Sequence, residues 1–360
     1  MPDCLKILIL SVCLFLLPTV QATIPAGYYE SADGYSGAAL KTQLYAIINN
    51  HTVLTYAELW TAFRKTDARA DGKVWDVYSN ITSYTFGDDQ DTGSGGTSEN
   101  DVYNREHSFP NSWFGGDKSS AMYTDLYHLY PSDKWVNAKR GNLPFGNVGT
   151  VTGYSANHYC EWGTSTESGS TLTVFEPADE LKGDFARSYF YMVTCYENLV
   201  ASWTVNDNTE MLGGNTYPAF SNWAQSVLLA WHRLDPVSAK ETARNDSIYT
   251  LYQHNRNPFI DFPTLAEYVW GDSTSFAFHP ANYLPSSINP VDTESDRLVA
   301  WSEDGELIVR TMPGVQIEIF DLTGRRLAAE RASEGFNHFR FDGNQSLIIK
   351  AGSVYLKIVL

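Results

Sequence analysis

One segment restricts the fold of this chain more than any other: residues 103–146. It opens on Tyr103-Asn104-Arg105-Glu106-His107-Ser108-Phe109-Pro110. It closes on Asp125-Leu126-Tyr127-His128-Leu129-Tyr130-Pro131-Ser132-Asp133-Lys134-Trp135-Val136-Asn137-Ala138-Lys139-Arg140-Gly141-Asn142 and the residues up to Gly146. Neighbouring side chains on a strand point to opposite faces. A site that uses both Glu106 and His107 therefore requires the strand to end or twist there, and Pro110 supports an ending. Downstream, Ser132-Asp133 can cap a helix beginning near Lys134, and Gly141 suits its C-terminus. On that helix Trp135 and Lys139 share one side, while Asn137 and Arg140, three apart, share a neighbouring face. The segment reads as strand, loop and then a short helix that offers an amide and a guanidinium.

These side chains suit the cleavage of a phosphodiester. That reaction needs a base to activate water, a divalent metal to neutralise developing charge, and a cation to hold the phosphate. His107 can be the base, because imidazole ordinarily titrates near neutrality. Glu106 and Asn137 offer oxygen ligands, which suit Mg²⁺ better than zinc. Arg140 can make a bidentate contact to phosphate. His128 reads as a hydrogen-bonding structural residue rather than a direct catalyst.

The segment resembles the endonuclease I family of secreted bacterial nucleases, which carry a ββα-metal (His-Me finger) active site. The resemblance rests on Glu106-His107, on Asp125-Leu126-Tyr127-His128-Leu129-Tyr130-Pro131, and on Asn137 six residues after Pro131. It extends through Asp179 to Arg187, Trp231 to Asp235 and Asn255 to Asp261, roughly residues 26–283. It implies that His107 is the general base, that Glu106 and Asn137 bind the catalytic metal, and that Arg140 contacts phosphate while Asn142 holds the local turn. The metal implied is Mg²⁺, with Mn²⁺ or Ca²⁺ as alternatives. The implied activity is an endonuclease of little sequence preference that leaves 5′-phosphate ends. DNA is the expected substrate, and RNA stays open. Tyr127 departs from the family, which usually has His there, and this puts the packing around the helix start in question.

The expected fold class is α+β: a mixed large domain, 23–285, holding the nuclease core among helices, then a small all-β, sandwich-like module, 301–360. Residues 286–300 read as a polar linker. Helices are expected over Leu40–Asn50, Tyr56–Arg64, Pro177–Trp203, Phe220–Trp231 and Pro236–Tyr252. Strands are expected at Glu306–Arg310, Val315–Phe320 and Val354–Val359. The C-terminal module resembles the sorting domain of the type IX secretion system. Residues 1–22 resemble a secretory signal, with an apolar run from Ile7 to Leu17 and Val20-Gln21-Ala22 as the cleavage site. Together they imply a secreted or cell-surface protein of a Gram-negative bacterium that engages the type IX machinery. The mature chain has no transmembrane segment and is expected to be a monomer. Signal removal leaves Cys160 and Cys195, which can pair or stay free.

The formal net charge of −17 argues against a protein held to nucleic acid by summed attraction to phosphates. Residues 100–145, however, balance five basic against five acidic side chains. A small patch (Arg105, Lys134, Lys139, Arg140) and the metal would then hold substrate, with a shallow salt dependence. The acidic, Gly-rich stretch Asp88–Gly96 reads as a solvated loop rather than a calcium site. The competing function is an extracellular binding protein on an inactive nuclease-like fold, which the intact Glu106, His107 and Asn137 argue against.

Overall fold

A computed structural model of the chain describes residues 24–165, 167, 172–203, 210–283, 299–303, 306–311, 313–321, 325–333, 336–341, 346–351 and 354–359. The expected signal, most of the expected linker and Leu322-Thr323-Gly324, where the sequence suggests a turn, lie outside them. The chain divides into two compact units, up to Leu284 and from Pro285 on. The first mixes helix and sheet and the second is all-β, an α+β composition.

In the first unit, α1 (Gly37–Ile48) and α2 (Leu59–Thr66) precede the pair β1 (Tyr103–His107) and β2 (Leu129–Asp133). The helix α3 (Lys134–Arg140) follows β2 without a linker. Next comes an antiparallel sheet of β3 (Thr150–Tyr154), β4 (Glu161–Ser165) and β5 (Leu172–Glu176), in the order β3-β4-β5. The helices α4 (Asp179–Cys195), α5 (Glu197–Val200), α6 (Asn222–Leu234), α7 (Ala239–Leu251), α8 (Pro258–Asp261) and α9 (Leu265–Val269) complete the unit.

The centre of the core is α4. Every residue from Leu181 to Cys195 is buried, polar ones included, as expected of a helix enclosed on all sides. Its charges are satisfied internally: Arg187 makes two 2.6 Å bonds to the Glu241 carboxylate on α7. The helix stops short of the expected Trp203. Tyr196 leaves helical dihedrals, at φ −118° and ψ 35°, and its hydroxyl donates to Asp125 Oδ2 at 2.7 Å. The many aromatics pack edge-to-face and tilted around this axis. Phe145 lies 4.8 Å from Phe185 and 5.4 Å from Tyr189.

Local sequence sets the other helix ends. Ser238 and Glu241 form a reciprocal capping box on α7, which satisfies two otherwise orphaned amides. Ser221 caps α6, and Asn257 with Pro258 opens α8. Cys160 and Cys195 are both buried and free. Among the described residues no helix is long and apolar enough to cross a membrane.

Among its described residues the second unit has seven strands: β6 (Val299–Glu303), β7 (Glu306–Arg310), β8 (Gln316–Asp321), β9 (Arg326–Arg331), β10 (Asn337–Arg340), β11 (Ser346–Ala351) and β12 (Val354–Val359). They form two antiparallel sheets, ordered β10-β7-β6 and β12-β11-β8-β9. Leu307, Val309 and Phe339 from one sheet meet Ile317, Ile319, Leu347 and Ile349 from the other in one apolar cluster. Their i, i+2 spacing is the strand alternation seen in the sequence.

Candidate active site

The strands β1 and β2 pair antiparallel, with Glu106 opposite Tyr130 and His107 opposite Leu129. Because α3 begins where β2 ends, its residues stand beside β1. Asp133 makes that junction. Its Oδ1 accepts the Val136 amide at 2.8 Å, and its Oδ2 accepts the Tyr84 hydroxyl and the Asn100 amide. Gly141 ends the helix at φ 54°, ψ −119°, a conformation that favours a residue without a Cβ.

One guanidinium ties the two neighbouring site residues together. Arg140 Nη1 donates to Glu106 Oε1 and to the His107 carbonyl, both at 2.9 Å. Its Nη2 donates to the Ser108 carbonyl and lies 3.3 Å from the Tyr189 hydroxyl. The group stacks on Phe145, 4.7 Å from the ring centre, and the residue is 1% exposed. This differs from the expected contact with a substrate phosphate. A helical wheel placed Arg140 beside Asn137 but could not show that its partners are a buried carboxylate and two backbone carbonyls. Arg140 lies under the site and braces it.

Glu106 Oε1 also accepts the Tyr78 hydroxyl at 2.7 Å. Burial pushes the Glu106 carboxyl above its ordinary range, opposed by Arg140, Tyr78 and the Asn137 amide. The Asn137 amide therefore lies near enough to Glu106 to favour its ionised form. Its Nδ2 donates to Asn104 Oδ1 at 2.9 Å. With the nitrogen so engaged, the carbonyl oxygen is the end of this half-buried amide left for a ligand.

His107 Nε2 lies 2.9 Å from the Tyr123 carbonyl. A carbonyl only accepts, so Nε2 carries the proton and Nδ1 holds the lone pair. Asn111 Nδ2 is 3.4 Å from that Nδ1. The ring lies nearly parallel to Tyr56, at 15° and 6.3 Å, and 4.7 Å from Tyr123. Burial, and then the neighbouring His128, bring His107 down to about 3. It is therefore neutral at physiological pH with a defined tautomer, rather than titrating near neutrality.

His128 is fully buried, and its Nε2 lies 2.7 Å from the Met122 carbonyl. Tyr127 is buried, and its hydroxyl sits between Asn245 Oδ1 and the Asn255 carbonyl, at 2.6 and 2.9 Å. Asn142 is exposed. Within the expected cationic patch, Lys134 is paired with Asp91 at 2.9 Å, and Lys139 rests over Trp135. That ion pair and the Gly93 amide occupy Asp91 of the acidic loop.

Sequence reasoning missed Tyr78, Tyr123, Tyr56, Asn104, Asn111 and Tyr189. Five lie outside β1 and β2, and no motif spacing links those five to Glu106 or His107. A second group of potential metal ligands, His51, Asp125 and Cys195, has its ligand atoms within 4.8 Å of one another. Both Asp125 oxygens are already engaged. Oδ1 accepts the Tyr127 amide and Gln253 Nε2, and Oδ2 accepts the Tyr191 and Tyr196 hydroxyls. This network anchors the start of the segment leading into β2.

A family model for Endonuclease I matches residues 36–264, a span that contains β1, β2 and α3 and ends before the all-β unit. The chain is 38% identical over 247 residues to the extracellular ribonuclease of Bacillus subtilis (strain 168), covering 68% of this chain and 78% of the relative. It is 38% identical over 245 residues to the extracellular ribonuclease of Bacillus amyloliquefaciens, with the same coverage. A match across most of the first unit, with the site residues inside it, places the chain in the Endonuclease I family, as a nuclease that hydrolyses phosphodiester bonds.

Proposed function

We propose that this protein is a secreted, Mg²⁺-dependent endonuclease that cuts DNA and RNA with little sequence preference, using the ββα-metal site of β1, β2 and α3. The observation that carries this reading is the arrangement around Arg140, which fixes Glu106 and the His107 backbone with one group. The relatives named as extracellular ribonucleases support secretion and the inclusion of RNA.

His107 is the general base. Its Nδ1 lone pair takes a proton from the attacking water while Nε2–H stays bonded to the Tyr123 carbonyl, so the ring cannot rotate as it charges. Attack at phosphorus breaks the bond to the 3′ oxygen and leaves a 5′-phosphate and a 3′-hydroxyl. Glu106 and the Asn137 carbonyl form a hard oxygen donor set that fits Mg²⁺, and Mn²⁺ or Ca²⁺ are bound by the same chemistry. A divalent ion held there supplies neutralising charge to the phosphate and the leaving oxygen. Arg140 keeps the Glu106 carboxylate ionised and aimed, which makes it a positioning residue.

The resemblances at the two ends of the chain support export by a removable signal and the type IX machinery, to the surface or medium of a Gram-negative bacterium. Plasmid DNA and a folded RNA, each digested with and without EDTA, test the reading. We expect chelation to abolish both activities and His107→Ala to lower them by roughly 10²- to 10⁴-fold. Full activity in chelator, or less than a tenfold effect of His107→Ala, refutes it. A folded protein that cuts neither substrate would instead be the binding protein.

A further inference from the structure

We propose that Arg105, clamped between Tyr56 and Trp60, binds the substrate phosphate adjoining the scissile one; this rests on the nuclease reading above.

Arg105 stands two residues before His107 on β1, so the two side chains share a face. Tyr56 confirms this by touching both: its ring lies 3.4 Å from the Arg105 guanidinium carbon and stacks on His107. Trp60 approaches the same guanidinium at 4.2 Å, and Nη1 donates to the Tyr56 carbonyl at 2.6 Å. The group is therefore held flat in one orientation. A stacked guanidinium keeps its in-plane N–H groups directed outward, the geometry that suits an oxyanion.

Its charge is what remains unexplained. The buried arginines Arg140, Arg187, Arg244 and Arg256 each have a carboxylate partner. Lys134, from the same cationic patch, is paired with Asp91. Arg105 is half-buried, and among the described residues no carboxylate lies within ion-pair distance of it. Asp91 acts on it only from beyond ion-pair distance, and that carboxylate is already paired with Lys134. In a chain of net charge −17, a fixed cation beside His107 without a paired acid is arranged for an anion from outside. Two strand residues span about 6.6 Å, comparable to the separation of consecutive phosphates along a nucleic-acid strand. When the scissile phosphate faces His107, its neighbour faces Arg105. The two rings hold the cation in place, so the entropy of ordering a long side chain is spent before substrate arrives.

The test is binding of a fluorescein-labelled 12-nucleotide single strand to the His107→Ala protein, by anisotropy across a KCl series. It is done with and without Arg105→Met, which keeps the apolar stem between the rings and removes the charge. We expect Arg105→Met to weaken binding roughly 10- to 100-fold and to make the salt slope shallower by about one. Arg105→Lys should fall between the two. With His107 intact, Arg105→Met should raise KM by a similar factor while kcat changes little. Unchanged affinity and salt slope overturn the proposal. So does a loss confined to kcat, which would make Arg105 a prop for Tyr56 and His107. Binding needs no turnover, so this result stands apart from failure of the nuclease reading, which would show as no cleavage by the unmodified protein.

Discussion

The placement of Arg140 inside the protein makes a prediction that separates a brace from a phosphate ligand. Arg140→Met keeps most of the side-chain volume and removes the charge. Glu106, 3% exposed, then keeps Tyr78 and Asn137 as partners but loses the one cation paired with it among the described residues. Breaking a buried ion pair from one side costs about 3–5 kcal/mol, and the Ser108 carbonyl, left with the Tyr189 hydroxyl, adds little. The His107 carbonyl loses its side-chain donor, at ~1–3 kcal/mol. Against a typical domain stability of ~5–15 kcal/mol, Arg140→Met should be strongly destabilised and could fail to fold.

The double variant keeps the argument testable. Glu106→Gln removes the buried charge, so Arg140→Met/Glu106→Gln should be more stable than the sum of the single changes allows, by ~2 kcal/mol or more. Urea unfolding in EDTA, which removes any stabilisation by bound metal, measures the cycle. All three variants should be inactive. The reasoning fails if Arg140→Met unfolds within ~1 kcal/mol of the unmodified protein and keeps its kcat while KM rises and becomes less sensitive to salt. That pattern belongs to a side chain that reaches the substrate.

Two further predictions concern stability alone. In a helix interior Gly→Ala ordinarily gains about 1 kcal/mol, yet a Cβ at Gly183 of α4 would lie 2.0 Å from the Asp235 carbonyl oxygen. Gly183→Ala should therefore lower the thermal midpoint, and a rise would refute the close packing of α4 against that loop. Burial, and then the Arg187 charge, bring His232 down to about 4, so the unfolded chain takes up its proton first as pH falls. The stability tied to neutral His232 is complete above about pH 6.5 and is lost as pH falls toward 4, about 2 kcal/mol of it between pH 7 and 5. Urea melts should show that His232→Gln lacks this part of the acid sensitivity; equal slopes in both proteins would place the loss elsewhere.

What could be read from the sequence was what local spacing determines. The start of α3 was legible because Asp133 caps its own third residue on, and the end because Gly141 follows at once. Glu106 and His107 were legible because they are adjacent, and their strand does end beside Pro110. Arg140 was legible as a face of the helix but not as buried, because its partners come from the other side of a β-strand pairing. The same blindness affected α4: Asp184 and Arg187 look like solvent positions until α7 brings Glu241 over them. The lowered His107 had no signal at all, since it depends on Tyr56 and Tyr123 closing over the ring.

Charge shows most sharply why counting residues misleads. The segment 100–145 is neutral by composition, and four of its five basic side chains were candidates for phosphate. Folding gives Lys134 to Asp91 and Arg140 to Glu106, so two of the four cancel before any substrate binds. Lys139 lies over Trp135 at the exposed side of α3, and Arg105 shares a strand face with His107. On the proposed reading, a nuclease built this way holds its substrate with few fixed cations and relies on the metal for the rest. Removing the metal should then weaken substrate binding itself, and anisotropy of the labelled strand on His107→Ala should show a larger Kd in EDTA than in Mg²⁺. Equal affinity in the two conditions would mean that side chains beyond this segment supply the attraction, against the division of charge that the fold presents.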